Sequence, residues 1–255
     1  MRKSLVVALA FLLAFVPLFA GAQEMQQPDP DLFYDKQVFV GDSITRQLKL
    51  YLRSESSNGS SVPEPVFLNA QSYMLYSASR NKLQSEHVNL AYRGKEMPMC
   101  QIVGQIKPQR VFILLGVNDY AGRNIPKNIG YCERILELIA RYSPDTQVFF
   151  FSLTPVTHRF CKEQDLRTLW NEYNLALETM CAEKGAHYID IATPLKDADG
   201  YLKTEYCSDG LYHLSPAGLQ VWLDTLRSYA TAQYEQGMWM PDELPAEGAG
   251  QEMKE

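Results

Sequence analysis

Two short runs constrain this chain most. Residues 110–115 (RVFILL) and 147–153 (QVFFFSL) are β-rich and apolar over nearly their whole length. A strand that is apolar on both faces has to be covered on both, which is the situation of strands in a parallel sheet lying between helices. Three further apolar segments, 37–40, 66–68 and 186–190, read as strands of the same sheet. Between them, apolar residues recur at helical spacing, predicting helices over 44–53, 73–83, 97–106, 124–142, 162–184 and 215–234. Pro126 and Pro216 stand where a helix tolerates a missing N–H, and Ser215 is a natural N-cap. Strands alternating with helices predict a three-layer α/β/α domain with a five-stranded parallel sheet and right-handed crossovers.

The ends of the chain read differently. Arg2 and Lys3 precede an apolar stretch over residues 5–19, and Ala20-Gly21-Ala22 follows as a small-x-small cleavage signal. This predicts a secretory signal peptide over 1–22, with export to the cell envelope or beyond. The apolar stretch is shorter than a spanning helix requires, and no second one follows, so stable membrane insertion after cleavage is not expected. Residues 23–35 read as a polar lead-in, 36–238 as the folded domain and 239–255 as an acidic, flexible tail. With 24 Lys and Arg against 30 Asp and Glu, the net charge of −6 argues against nucleic acid as a partner. The five cysteines leave at least one thiol unpaired, and their spacing follows no zinc-ligand pattern, so no metal is expected.

In an open α/β sheet, functional groups gather beyond the carboxyl ends of the strands. Ser43 follows the first strand on a tight Gly41-Asp42 turn into a helix, whose free N–H groups favour negative charge. Gly116-Val117-Asn118-Asp119 follows the third strand and offers a side-chain amide. Asp209 and His213 lie in the loop before the last helix. A hydroxyl needs a base to become a nucleophile, the base needs an orienting group, and a tetrahedral intermediate needs fixed donors. Ser43, His213, Asp209 and Asn118 can fill those four roles without a cofactor.

These blocks make the sequence resemble an SGNH hydrolase of the GDSL esterase/lipase superfamily. Residues 40–45 (VGDSIT) match its first block, 116–119 (GVND) its third, and 208–218 (SDGLYHLSPAG) its last. The resemblance implies a flavodoxin-like strand order 2-1-3-4-5, Ser43 as nucleophile, His213 as base, and an oxyanion hole of the Ser43 N–H, a second-block N–H and the Asn118 amide. Two positions depart from the family pattern. Ser72 stands where the second block commonly has Gly, a difference that strains any positive φ. Three residues rather than two separate Asp209 from His213, so either Asp209 or a backbone carbonyl could orient the imidazole.

Gly116, Tyr120, Arg123, His158 and Arg159 lie near the same edge and are candidate substrate contacts. The resemblance implies carboxylic ester hydrolysis through an acyl-enzyme. Export and the lack of a long apolar lid favour acetyl esters on an extracellular glycan. The alternatives are a lysophospholipase or general short-chain esterase, and a non-catalytic carbohydrate-binding module on the same fold.

Overall fold

The computed structural model describes residues 27–161 and 165–241. The chain alternates as expected: β1 (Val38–Gly41), α1 (Ser43–Ser57), β2 (Val66–Asn69), α2 (Leu75–Ala78), β3 (Leu90–Tyr92), β4 (Lys95–Met97), α3 (Met99–Ile106), β5 (Arg110–Leu114), α4 (Ile125–Tyr142), β6 (Gln147–Phe151), α5 (Leu166–Lys184), β7 (His187–Ile189) and α6 (Pro216–Glu235). Five strands form one sheet in the order β2-β1-β5-β6-β7, every pair parallel. This is the predicted 2-1-3-4-5 order once the separate β3–β4 hairpin is set aside. α1 packs with α6, while α3, α4 and α5 pack in a row, giving the two helical layers of an α/β/α sandwich.

One row of rings crosses the whole sheet. In register, Phe67 pairs with Phe39, Phe39 with Phe112, Phe112 with Phe149, and Phe149 with His187. Their ring centroids lie 5.5, 4.8, 4.9 and 4.3 Å apart, with the last three pairs stacked. Each aromatic pair contributes about 0.5–1.5 kcal/mol beyond its burial, and the row pins the register of all five strands. Phe151 adds an edge contact with Trp222 of α6 at 5.1 Å.

Four sequence expectations need correction. Residues 30–35 pack onto the domain rather than forming a polar lead-in: Phe33 and Tyr34 join the core, and Phe33 meets Phe112, Phe149, Tyr229 and Trp239. Asp31 accepts a paired hydrogen bond from Arg227 of α6 at 2.7 and 2.9 Å, a geometry suited to guanidinium and carboxylate. At the other end Trp239 is only 4% exposed, so the packed domain extends past residue 238. The helix expected over 73–83 shrinks to the single turn of α2, because the Ser79–His87 stretch turns away into loops. The helix expected from 97 begins at Met99, behind the unforeseen β3–β4 hairpin, whose two turn residues Arg93 and Gly94 both have positive φ. The predicted signal peptide, the first residues of the helix expected from 162, and the tail beyond 241 lie outside the described residues.

Gly41 closes β1 and opens the turn to Ser43. A Cβ there would stand 1.8 Å from Thr45 Oγ1 and 2.9 Å from the Leu114 carbonyl oxygen, and both neighbours are buried. Gly41→Ala is therefore expected to destabilise the fold by about 1–3 kcal/mol, read as a lower urea midpoint with an unchanged slope. An unchanged midpoint would show that the turn has slack that the close contact denies.

Candidate active site

Ser43 is the first residue of α1, and its helix is capped by Asp42, whose Oδ1 accepts from the Ile44 N–H at 2.9 Å. The Ser43 hydroxyl lies 2.9 Å from His213 Nε2, and His213 Nδ1 lies 2.6 Å from Asp209 Oδ2. Hydroxyl, imidazole and carboxylate thus form one continuous hydrogen-bonded line. The question left open by the sequence, whether Asp209 reaches His213, is answered by contact. Gly210 takes φ +75°, and Asp209 Oδ1 accepts from the N–H groups of Leu211, Tyr212 and His213 at 2.7, 3.1 and 3.3 Å. The extra residue is absorbed in this tight turn around the carboxylate.

Three anchors fix that turn to the sandwich. Cys207 and Leu214 bridge antiparallel at its base. Thr157, beyond β6, donates its hydroxyl to the Gly210 carbonyl at 2.8 Å and its N–H to the Leu211 carbonyl at 2.9 Å. Gln47, one helical turn after Ser43, accepts from the Leu214 N–H at 3.0 Å and donates to the Leu214 carbonyl at 3.2 Å. Gln47 therefore ties the helix that carries Ser43 to the residue beside His213. Sequence reasoning missed it, although the i, i+4 spacing places Gln47 on the Ser43 face of α1.

The Asn118 amide donates to Asp42 Oδ2 at 2.9 Å and, at 3.3 Å, to the Tyr73 carbonyl. The sequence placed Asp42 only in the turn before Ser43, yet it caps α1 and also orients Asn118. Asp119 accepts from the N–H groups of Leu75 and Tyr76 at 2.8 and 3.2 Å, holding the second-block loop beside the third. Ser72 lies at φ +58°, a left-handed conformation that favours glycine. Among the described residues no acceptor engages its N–H or that of Ser43.

The other candidates separate. Gly116 is buried at φ +129°, and a Cβ there would meet Ala121 and Leu153 at 3.2 Å, so its place is in shaping the turn rather than in touching substrate. Arg159 reaches the Asp209 turn, its guanidinium standing 3.4 Å from where a Gly210 Cβ would be. His158 instead packs edge-on against Tyr201, ring centroids 5.0 Å apart. Tyr120, at φ +46° and 40% exposed, carries Arg123 over its ring at 4.4 Å. Tyr212 packs between His213 and Phe160 at 4.5 and 5.2 Å. All five cysteines are free thiols, with Cys100, Cys132 and Cys181 buried.

The two carboxylates are pushed in opposite directions. Burial raises Asp42 to about 6, against the lowering effects of the Ile44 N–H and the His213 charge. Burial also acts to raise Asp209, but the hydrogen bonds from His213 and from the N–H groups of Leu211, His213 and Tyr212 prevail and hold it at about 2. Asp209 is thus a permanent anion beside the imidazole.

A model of the GDSL-like lipase/acylhydrolase family matches residues 39–221. The chain belongs to this family. It is a carboxylic ester hydrolase of the SGNH/GDSL type. Among solved structures it is similar to a GDSL-like lipase from Bacteroides thetaiotaomicron, at 16% identity and TM-score 0.56, covering 82% of this chain and 93% of that one. An acetyl xylan esterase aligns at 14% identity and TM-score 0.56, over 76% and 98%. A carbohydrate esterase family 3 protein from Talaromyces cellulolyticus aligns at 18% and 0.52, over 79% and 97%. At these identities the likeness is one of fold. No curated protein matches the chain.

Two predictions concern the supports of this GDSL-like acylhydrolase site. A buried acid whose pKa is raised in the fold adds stability that is present below its unfolded value, near 4, and lost as pH rises through about 6. The native protein should therefore gain a stabilising contribution from Asp42 as pH falls from 7 towards 4, and Asp42→Asn should lack it. Urea midpoints of both proteins at a series of pH values read the difference, and identical pH slopes would count against the assignment. Ser72→Gly, which removes left-handed strain worth about 1–2 kcal/mol but adds unfolded-state entropy, should raise thermal stability slightly. A lower melting temperature would show that the Ser72 side chain supports the turn.

Proposed function

We propose that the chain is an exported serine esterase that removes short acyl groups, above all acetyl, from an extracellular or cell-envelope glycan. The observation that carries it is the line of contacts from Ser43 Oγ through the His213 ring to Asp209, at 2.9 and 2.6 Å. In this reading His213 Nε2 takes the hydroxyl proton as Ser43 Oγ attacks the ester carbonyl, and Asp209 stabilises the imidazolium through Nδ1. The oxyanion is met by the N–H groups of Ser43 and Ser72 and by the Asn118 amide. To donate, Asn118 gives up its long bond to the Tyr73 carbonyl and keeps the shorter one to Asp42, which holds the amide in place. His213 then returns the proton to the leaving alcohol. Water, deprotonated by the same nitrogen, attacks the acyl-enzyme and releases the acid with Ser43 restored.

Support for the acetyl preference comes from outside the triad. Structural neighbours include an acetyl xylan esterase and an acetyl esterase, and the Tyr212 ring, backed by Phe160, packs on His213. No helix among the described residues is long and apolar enough to cross a membrane, and the leader read from residues 1–22 supports export.

Hydrolysis of 4-nitrophenyl acetate, butyrate and octanoate tests the proposal. The acetyl ester should turn over fastest. Ser43→Ala should remove activity by several orders of magnitude, and Asp209→Asn should lower it by about 10³–10⁴, since the imidazole then adopts the wrong tautomer. Activity that rises with acyl length would replace the short-chain reading by a lysophospholipase one, and activity that survives Ser43→Ala would overturn the nucleophile.

A further inference from the structure

A cavity of about 320 Å³ opens beside the third block. Its wall includes Asp119, the residue after Asn118, and Met74, the residue after Tyr73, whose carbonyl accepts from Asn118. Two separate stretches of chain thus bring the cavity to within one residue of the amide assigned to the oxyanion. A third connection runs along the rim: Arg123 lines the cavity and lies over the Tyr120 ring. Tyr120 itself stands two residues beyond Asn118 and is exposed at the same edge.

The lining is unlike that of an acyl pocket. Tyr76 and Tyr131 supply aromatic surface, their rings 5.7 Å apart, and His87 packs on Tyr76 at 4.7 Å. Lys127 lies 5.8 Å from the Tyr131 ring, and Arg80 stands over Tyr76 at 4.2 Å. Asp119 is the carboxylate in the wall, and both of its oxygens are already committed to the N–H groups of Leu75 and Tyr76. On a chain of net charge −6, this corner is locally cationic. An alkyl chain seated here would strip water from Lys127 and Asp119 without replacing it. A sugar ring would place its CH face against tyrosine and its hydroxyls among polar groups, and the volume falls at the small end of ligand pockets, about 300–1,000 Å³.

We infer that this cavity is a subsite for a carboxylate-bearing sugar residue of the substrate, held by Lys127 and His87 against the Tyr76 and Tyr131 rings, next to the residue whose ester is cleaved. The inference rests on the esterase reading and narrows its substrate to acidic glycans. Lys127 supplies charge and the two tyrosines supply shape.

The test compares acetylated oligosaccharides that contain a uronic acid with neutral ones of the same length, using the full chain. The acidic substrate should show a kcat/KM at least tenfold higher, carried by KM, and the ratio should shrink as salt rises from about 0.05 to about 0.5 M, where screening shortens to a few ångströms. Lys127→Gln and His87→Gln should each reduce the acidic-to-neutral ratio several-fold, whereas Lys184→Gln, paired with Glu133 away from the cavity, should leave it unchanged. Calorimetry on Ser43→Ala with the deacetylated acidic oligosaccharide reads binding without turnover, and Lys127→Gln in that background should weaken it. Equal kcat/KM for the acidic and neutral substrates, or no measurable binding of the acidic oligosaccharide to Ser43→Ala, overturns the subsite. Loss of 4-nitrophenyl acetate hydrolysis in the native protein would instead defeat the esterase reading on which it rests.

Discussion

The row of rings from Phe67 to His187 is the constraint from which the site follows. In a parallel sheet a one-residue slip moves every side chain of a strand to the other face, and here a slip would take an aromatic ring out of the row on one face and into the other helical layer. With Phe39, Phe112 and Phe149 locked ring to ring, the carboxyl ends of β1 and β5 have only one alignment, Gly41 against Leu114. Ser43 and Asn118 therefore leave the sheet at matched heights from adjacent strands. Their meeting through Asp42 is a consequence of sheet register before it is one of loop sequence.

Environment then divides labour between two aspartates. Asp42 sits under the turn, nearly without solvent, and bridges the α1 amide end to Asn118. Burial makes its charge costly, which is why it titrates near 6. Asp209 sits in a partly open turn and gathers three backbone N–H groups and the imidazole, which is why it stays ionised to about 2. Of the two, only Asp42 changes charge in the mildly acid range. It contacts neither the hydroxyl nor the imidazole, so protonating it acts on the reacting atoms through Asn118 and through the field at His213.

Much of this was legible in the sequence because it is local. The apolar runs at 110–115 and 147–153 could hardly form anything except doubly covered strands, and Ser43, Asn118, Asp209 and His213 stand in short blocks with their neighbours. The illegible parts depend on contacts distant in the chain. Phe33 and Tyr34 read as lead-in because their partners, Phe112, Phe149 and Arg227, lie far downstream. The β3–β4 hairpin hid because its strands are only three residues each and mix apolar with charged side chains, with an Arg-Gly turn whose positive φ values only the backbone reveals. Gln47 reads as one more polar helix residue until Leu214, far along the chain, is seen beside it.

Gln47 also explains how the lengthened acid-to-base spacing is tolerated. The segment from Ser208 to His213 has no strand or helix of its own, and a turn held only by its own Asp209 contacts would leave the imidazole free to swing. It is instead clamped on both sides of the extra residue: Thr157 holds Gly210 and Leu211, and Gln47 holds Leu214. Because Gln47 and Ser43 share one helix face, any shift of α1 carries the hydroxyl and the clamp together, and the distance from Oγ to Nε2 is conserved to first order. The inserted residue is therefore accommodated at the left-handed Gly210, and the clamps on Gly210, Leu211 and Leu214 hold the turn so that the imidazole keeps its place.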